Sequence, residues 1–394
     1  MRPGLLFIVN SLGIGGAEKQ VVTLLNHLDP THFRLHLAYL KPDELLLPQL
    51  QREKLDEVLS CDVRRPVDRA AVGRLRSVVA ARQIDAIVCT NSYSMLYGHL
   101  ARGSNPNVRL VTVFHTTKLQ TCKEKAQMLL YRQLFKRCDL LVYVCENQRR
   151  HWREQGLRPI ADQVVYNGID TCGFTEGRSS TEQLAFRRGL GFQAGDFVIG
   201  LCSGLRPEKA HGDLLAAIAK LRARGVAAKG LLIGDGPERP AIERTITRLD
   251  LQEHVRITGV REDVRAFVSA CDVMTLVSRT ETFSLAALES MSLGKPLVMS
   301  DIGGASEQVI RERTGYLFPP GDIEMLAKHL EALTSPALRA RLGEAAARRV
   351  RDLFTVQGMA ARFTDCMDRL LEGRAPTTAS GVGRRNDLTA PRRV

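Results

Sequence analysis

Residues 5–28 read LLFIVNSLGIGGAEKQVVTLLNHL. An apolar run ends in Asn10 and Ser11, glycines follow at 13, 15 and 16, and VVTLLNHL then reads as a helix. A buried strand, a tight turn and a helix in that order open a parallel-sheet unit. The turn leaves backbone N–H groups and the positive end of a helix dipole at the sheet edge, where an anion or a hydroxyl-rich ligand can approach. A simple tight turn would also need these glycines. As a dinucleotide fingerprint the segment fails, because Glu18 stands where G-x-G-x-x-G needs a third glycine for close helix packing.

The unit repeats downstream. LHLAYL (35–40), AIVCT (86–90), LVTVFH (110–115) and LLVYVC (140–145) are each followed by a polar or amphipathic stretch. After VVYNGID (164–170), the segment GFTEGRSSTEQ is rich in Gly, Ser and Thr and reads as a linker. A second series follows: FVIGLCSG (197–204), KGLLIGDG (229–236), HVRITGV (254–260), DVMTLVS (272–278) and PLVMSD (296–301). The pattern predicts an α/β chain of two Rossmann-like, doubly wound parallel-sheet domains facing a cleft. Residues 1–175 form the first domain and 190–350 the second, with a C-terminal helix at 351–371 packing back on the first and a disordered basic tail at 372–394. A length of 394 residues exceeds what one core usually supports, in keeping with two domains.

Composition narrows the classes. A net charge of +13 suits nucleic acid, a phosphorylated ligand or an anionic membrane. No aromatic-rich basic motif accompanies it and Trp152 is the single tryptophan, so nucleic acid is not expected. Nine cysteines stand singly without a C-x-x-C pair, which predicts reduced thiols in the cytoplasm and no metal site. The first apolar run is too short for a signal peptide, and no stretch approaches the roughly 20 apolar residues of a membrane span. Membrane contact is therefore expected to be peripheral, at the cytoplasmic face.

Candidate chemistry sits after the strands. His115 closes the fourth strand run, where its side chain points into the crevice; a structural histidine is the plainer reading of that position alone. Gly204, Arg206 and Lys209 follow the first strand of the second domain, just before the helix DLLAAIAKL. There a cation and helix-terminal amides can stabilise a departing diphosphate. Glu281 lies in the loop after DVMTLVS, and Glu289 lies eight positions on, little more than one turn into a helix beginning near Ser284. Its carboxylate can face the same end as the amides of Phe283, Ser284 and Leu285, as an acceptor of two vicinal ribose hydroxyls. Asp301-Ile302-Gly303-Gly304 and Gly234-Asp235-Gly236-Pro237 place further glycines after strands, where a ligand can come close to the backbone or a plain turn suffices.

In their order, GGAE at 15–18, His115, YNGID at 166–170, LRPEK at 205–209, GDGP at 234–237, E-x7-E from Glu281 to Glu289, and G-K-P with D-x-G-G within 294–304 resemble the retaining two-Rossmann-domain (GT-B) glycosyltransferases of family four. The resemblance runs from about residue 5 to 371. It implies a metal-independent hexosyltransferase without a cofactor, taking a UDP- or GDP-linked sugar as donor. The acceptor would be a glycan or polyprenyl lipid in cell-surface polysaccharide or glycolipid synthesis. It assigns Lys209 to the donor diphosphate, Glu289 to the ribose, Glu281 and His115 to the transferred sugar, and the amides of Phe283, Ser284 and Leu285 to the phosphate or sugar. Gly15 and Gly16 would approach the donor phosphate and the acceptor. The leaving phosphate would help to deprotonate the acceptor on the same face. One position departs: the family carries an arginine five residues before the lysine, where this chain has Gly204, and Arg206 stands two residues further on. A nucleotide-sugar epimerase of the same architecture and a non-catalytic nucleotide-sugar-binding partner are the alternatives.

Overall fold

Among the described residues thirteen short strands pair in parallel, and most are apolar along their length because each sheet is covered by helices on both faces and has no wet side to alternate with. A computed structural model describes residues 2–119, 121–175 and 179–374 of the chain. Residues 375–394 of the expected basic tail lie outside the described residues.

The first sheet contains β1 (Gly4–Val9), β2 (Arg34–Tyr39), β3 (Glu57–Ser60), β4 (Ala86–Thr90), β5 (Arg109–Phe114), β6 (Leu140–Tyr143) and β7 (Asp162–Val164). Its spatial order is β3-β2-β1-β4-β5-β6-β7. The second contains β8 (Phe197–Cys202), β9 (Ala228–Ile233), β10 (Val255–Ile257), β11 (Val273–Leu276), β12 (Leu297–Ser300) and β13 (Gly315–Phe318), ordered β10-β9-β8-β11-β12-β13. Strand order reverses between β1 and β4 in one sheet and between β8 and β11 in the other. Such switch points open a crevice at the carboxyl ends of the strands. The glycine turn leaves β1, the Lys209 loop leaves β8 and the Glu281 loop leaves β11, so all three candidate segments issue from those two points.

Each sheet has a core on both faces. One core of the first sheet includes Val356, Met359, Phe363 and Met367, which the helix Val356–Leu371 delivers from the far end of the chain. That crossing is tight: a Cβ on Gly168 would lie 2.4 Å from the Thr355 carbonyl oxygen. Ile169 bridges Thr355 beside it. The neighbouring Tyr166 packs its ring against Phe283 and Phe354 at 5.3 and 5.5 Å, forming an aromatic post between the two sheets.

Candidate functional site

The helix Leu285–Ser292 begins where its cap dictates: Ser284 accepts a hydrogen bond from the Ala287 amide. Glu289, buried one turn in, meets the ammonium of Lys19 at 2.6 Å. Lys19 belongs to the first domain, in the helix Gly16–His27 that follows the glycine turn. Glu281 meets Lys209 at 2.8 Å. Two ammonium–carboxylate pairs thus stand at the cleft, one within the second domain and one across it. Lys209 ends a short turn, Pro207–Lys209, and Ala210 after it adopts φ +49°, a left-handed backbone that costs a non-glycine residue energy and sets the direction of the helix His211–Ala223.

The glycines after β9 and β12 serve the protein's own loops. A Cβ on Gly234 would lie 2.1 Å from the Ser203 carbonyl oxygen, and one on Gly236 2.5 Å from that of Leu205. These glycines let the turn after β9 close on the segment that leads to Lys209. Gly303, at φ +53°, would place a Cβ 2.1 Å from the Glu281 carbonyl oxygen, while the Gly304 amide donates to the Thr282 carbonyl at 2.7 Å. The Glu281 loop therefore rests on bare backbone. Close approach was expected from a ligand or a plain turn; here one loop seats another.

The amides near Glu289 are not equally available. Ser284 N–H donates to Gln308 Oε1 at 3.2 Å, while Gln308 Nε2 donates back to the Ser284 carbonyl. Phe283 and Leu285 remain as candidates. At the first domain's turn, the Glu18 carboxylate folds over Gly15, so close that a Cβ there would lie 2.2 Å from Glu18 Oε2. Burial, with Asp43 nearby, pushes the Glu18 carboxyl above its usual range. A carboxylate thus shares the helix start that Gly15 and Gly16 were expected to offer to a phosphate. Gly16 itself faces open space.

His115 lines a small cavity at the carboxyl ends of β1, β5 and β6, together with Phe7, Gln20, Thr90 and Asn167. Its Nε2 is buried without a hydrogen-bond partner among the described residues, and burial lowers its pKa to about 4. No hydrogen bond joins it to Lys209, Glu281 or Glu289 among those residues. Two residues along, Thr117 meets Thr282 hydroxyl to hydroxyl at 2.9 Å, which brings this segment against the Glu281 loop. Arg206 is exposed and has no hydrogen-bond or ion-pair partner for its side chain among the described residues, and its Nε lies 3.7 Å from where a Cβ on Gly204 would stand.

Two residues in this region carried no signal in the sequence reading. Lys19 follows the glycine motif but pairs with a residue 270 positions away. Glu307 accepts from the amides of Glu146 and Asn147 at 2.8 and 2.7 Å and from the Tyr166 hydroxyl at 2.8 Å. It caps the first-domain helix Glu146–Glu154 from the second domain. Short motifs reveal neither partner at such separations.

Two family models account for most of the chain. Glycosyltransferase Family 4 matches residues 14–172, and Glycosyl transferases group 1 matches residues 182–349. The chain belongs to the family-four GT-B glycosyltransferases. This glycosyltransferase is 25% identical to the N-acetyl-alpha-D-glucosaminyl L-malate synthase of Bacillus anthracis over 310 residues, 76% of this chain and 78% of that protein. It is 34% identical to the alpha-D-kanosaminyltransferase of Streptomyces kanamyceticus over 244 residues, 61% of this chain and 62% of the other. Its fold is similar to that of HepE from Anabaena, a structure in complex with UDP, with a TM-score of 0.81 at 22% identity over 93% of this chain and 100% of that one.

Proposed function

We propose that this glycosyltransferase is a hexosyltransferase that moves a sugar from a nucleoside diphosphate, UDP or GDP, to a glycan or polyprenyl-lipid acceptor in cell-surface polysaccharide or glycolipid synthesis. The observation that carries the reading is the convergence of Lys209, Glu281 and Glu289 beside the start of the helix Leu285–Ser292, at the switch point of the second sheet. Lys209 meets the diphosphate, Glu289 the ribose and Glu281 the transferred sugar, while Arg206 and the amides of Phe283 and Leu285 complete the anion site. The complexes of HepE with UDP and with UDP-glucose support this type of donor.

The proposed reaction retains configuration and is independent of a metal ion. An imidazole with a pKa of about 4 is a poor base near neutral pH, so His115 suits a hydrogen bond to a sugar hydroxyl better than proton abstraction. Proton removal then falls to the leaving phosphate, on the same face as the departing bond. We place the protein in the cytoplasm, at the membrane face. No described helix is long and apolar enough to cross a bilayer, so the contact is peripheral. The helix Cys122–Phe135 exposes Leu129 and Leu130, with Lys118, Lys125, Lys136 and Arg137 exposed on it or beside it. Apolar side chains among cations suit an anionic lipid surface.

Thermal unfolding with UDP, GDP and ADP, their common sugars and NAD, each with and without chelator, tests the donor assignment. One nucleoside diphosphate at about one hundred times its Kd should stabilise the fold by roughly 2.7 kcal/mol. Chelator should not alter the shift, and Glu289→Ala or Lys209→Ala should abolish it. A folded protein that responds to none of these nucleotides overturns the proposal.

A further inference from the structure

The Lys19–Glu289 contact joins a half-exposed ammonium on one domain to a carboxylate that is only 9% exposed on the other. Glu289 is the residue assigned to the ribose, and Lys19 holds its Oε1, so a ribose that takes both carboxylate oxygens competes with Lys19 there. The released ammonium is not left far from the donor. Its helix starts at the glycine turn, and its partner Glu289 lies one turn into the helix that follows β11, the strand paired with β8, from which the Lys209 loop departs. A diphosphate held by Lys209 places its negative charge in the same region. A lysine suits such an exchange because its charge is compact and its stem flexible, whereas a guanidinium holds a carboxylate in a two-pronged pair.

Resting on the proposed use of a nucleoside diphosphate donor, we infer that Lys19 is a donor-phosphate ligand supplied by the first domain, passing from Glu289 to the diphosphate as the ribose docks. Diphosphate recognition then needs both domains, while the nucleoside alone displaces the lysine without giving it a new partner. Nothing is bonded or cleaved in the exchange; one ion pair replaces another.

Calorimetric binding of UDP, with uridine read by competition against it, separates this role from its alternatives; GDP and guanosine are run in parallel. The proteins are the full chain, Lys19→Met and Lys19→Arg. In Lys19→Met, the diphosphate should bind about tenfold more weakly or worse, as expected for loss of a charge-assisted contact. The nucleoside should bind as well as before or more tightly, and Lys19→Arg should recover part of the diphosphate affinity. If Lys19→Met binds the diphosphate as tightly as the parent chain or more so, the lysine merely competes with ribose and the inference is overturned. Equal weakening of nucleoside and diphosphate overturns it too, by showing a structural role. A parent chain that binds neither UDP nor GDP is a different failure: it removes the donor reading, and the inference with it.

Discussion

His115 and His211 both stay uncharged well below the pH at which a free imidazole takes a proton, with pKa values lowered to about 4 from 6.5. Burial is the main cause for each, and Lys209 adds repulsion at His211. A depressed folded pKa means that the unfolded chain binds the proton first on acidification. The stabilisation is therefore complete above pH 6.5 and is lost as pH falls towards 4. At most about 3 kcal/mol per histidine is at stake. Urea unfolding at pH 7 and pH 4.5 should show a smaller loss of stability for His211→Asn than for the parent chain, and equal losses would remove His211 from the account. Arg206 poses a different question at the same scale, because its exposed side chain has no partner to lose among the described residues. Arg206→Ala should leave the melting temperature unchanged and lower kcat roughly 10- to 100-fold, if it supplies the phosphate contact that Gly204 does not. Steady-state kinetics beside a melting curve separates the two effects.

Turns and caps hold the site loops, and they are where single substitutions should act at a distance. Gly303→Ala puts a methyl group against the Glu281 carbonyl at a left-handed φ, so the Glu281 loop must move. The expected result is a loss of about 1–3 kcal/mol in stability, with donor affinity falling further than stability alone explains. Calorimetry at a temperature where the variant remains folded would show the second part. Glu307→Gln removes a carboxylate from two helix amides in the other domain, and about 1–2 kcal/mol should be lost. Hydrogen exchange at Glu146 and Asn147 should quicken, while exchange inside β1 should not. The sequence reading reached the turns but not their use. The apolar runs LLFIV, AIVCT and FVIGLC announced their strands because both faces are buried. No such run marks β3, whose EVLS is only partly buried at a sheet edge, or β13, whose GYLF is short and begins with glycine. The E-x7-E spacing could be read because one helix carries it. The ion pair from Lys19 and the cap by Glu307 depend on how two sheets dock, which no local pattern encodes.

At the scale of the whole molecule, an excess of positive charge meets an asymmetric surface. The net charge of +13 is long-range and, on its own, would draw the protein to any polyanion. In the proposed membrane contact, Leu129 and Leu130, 64% and 76% exposed, would add an apolar part on the first domain. The two terms have different signatures. Electrostatic attraction to an anionic bilayer is worth about 1 kcal/mol for each cation near the surface and fades with salt, whereas insertion of the leucines persists. Cosedimentation with vesicles containing anionic lipid should therefore weaken between 50 and 300 mM salt without vanishing, and vesicles of neutral lipid should bind poorly at either. Leu129→Asp with Leu130→Asp removes the insertion and adds repulsion, so it should abolish the salt-resistant part. Transfer to a soluble acceptor should stay at the parent rate, because neither leucine lies among the donor-site residues. If the double variant binds vesicles as the parent does, this helix is not the docking face and only diffuse charge draws the protein to the membrane. If transfer to a lipid-linked acceptor in vesicles then falls while transfer to a soluble one does not, the surface acts by bringing the cleft to its acceptor rather than by shaping the chemistry inside it.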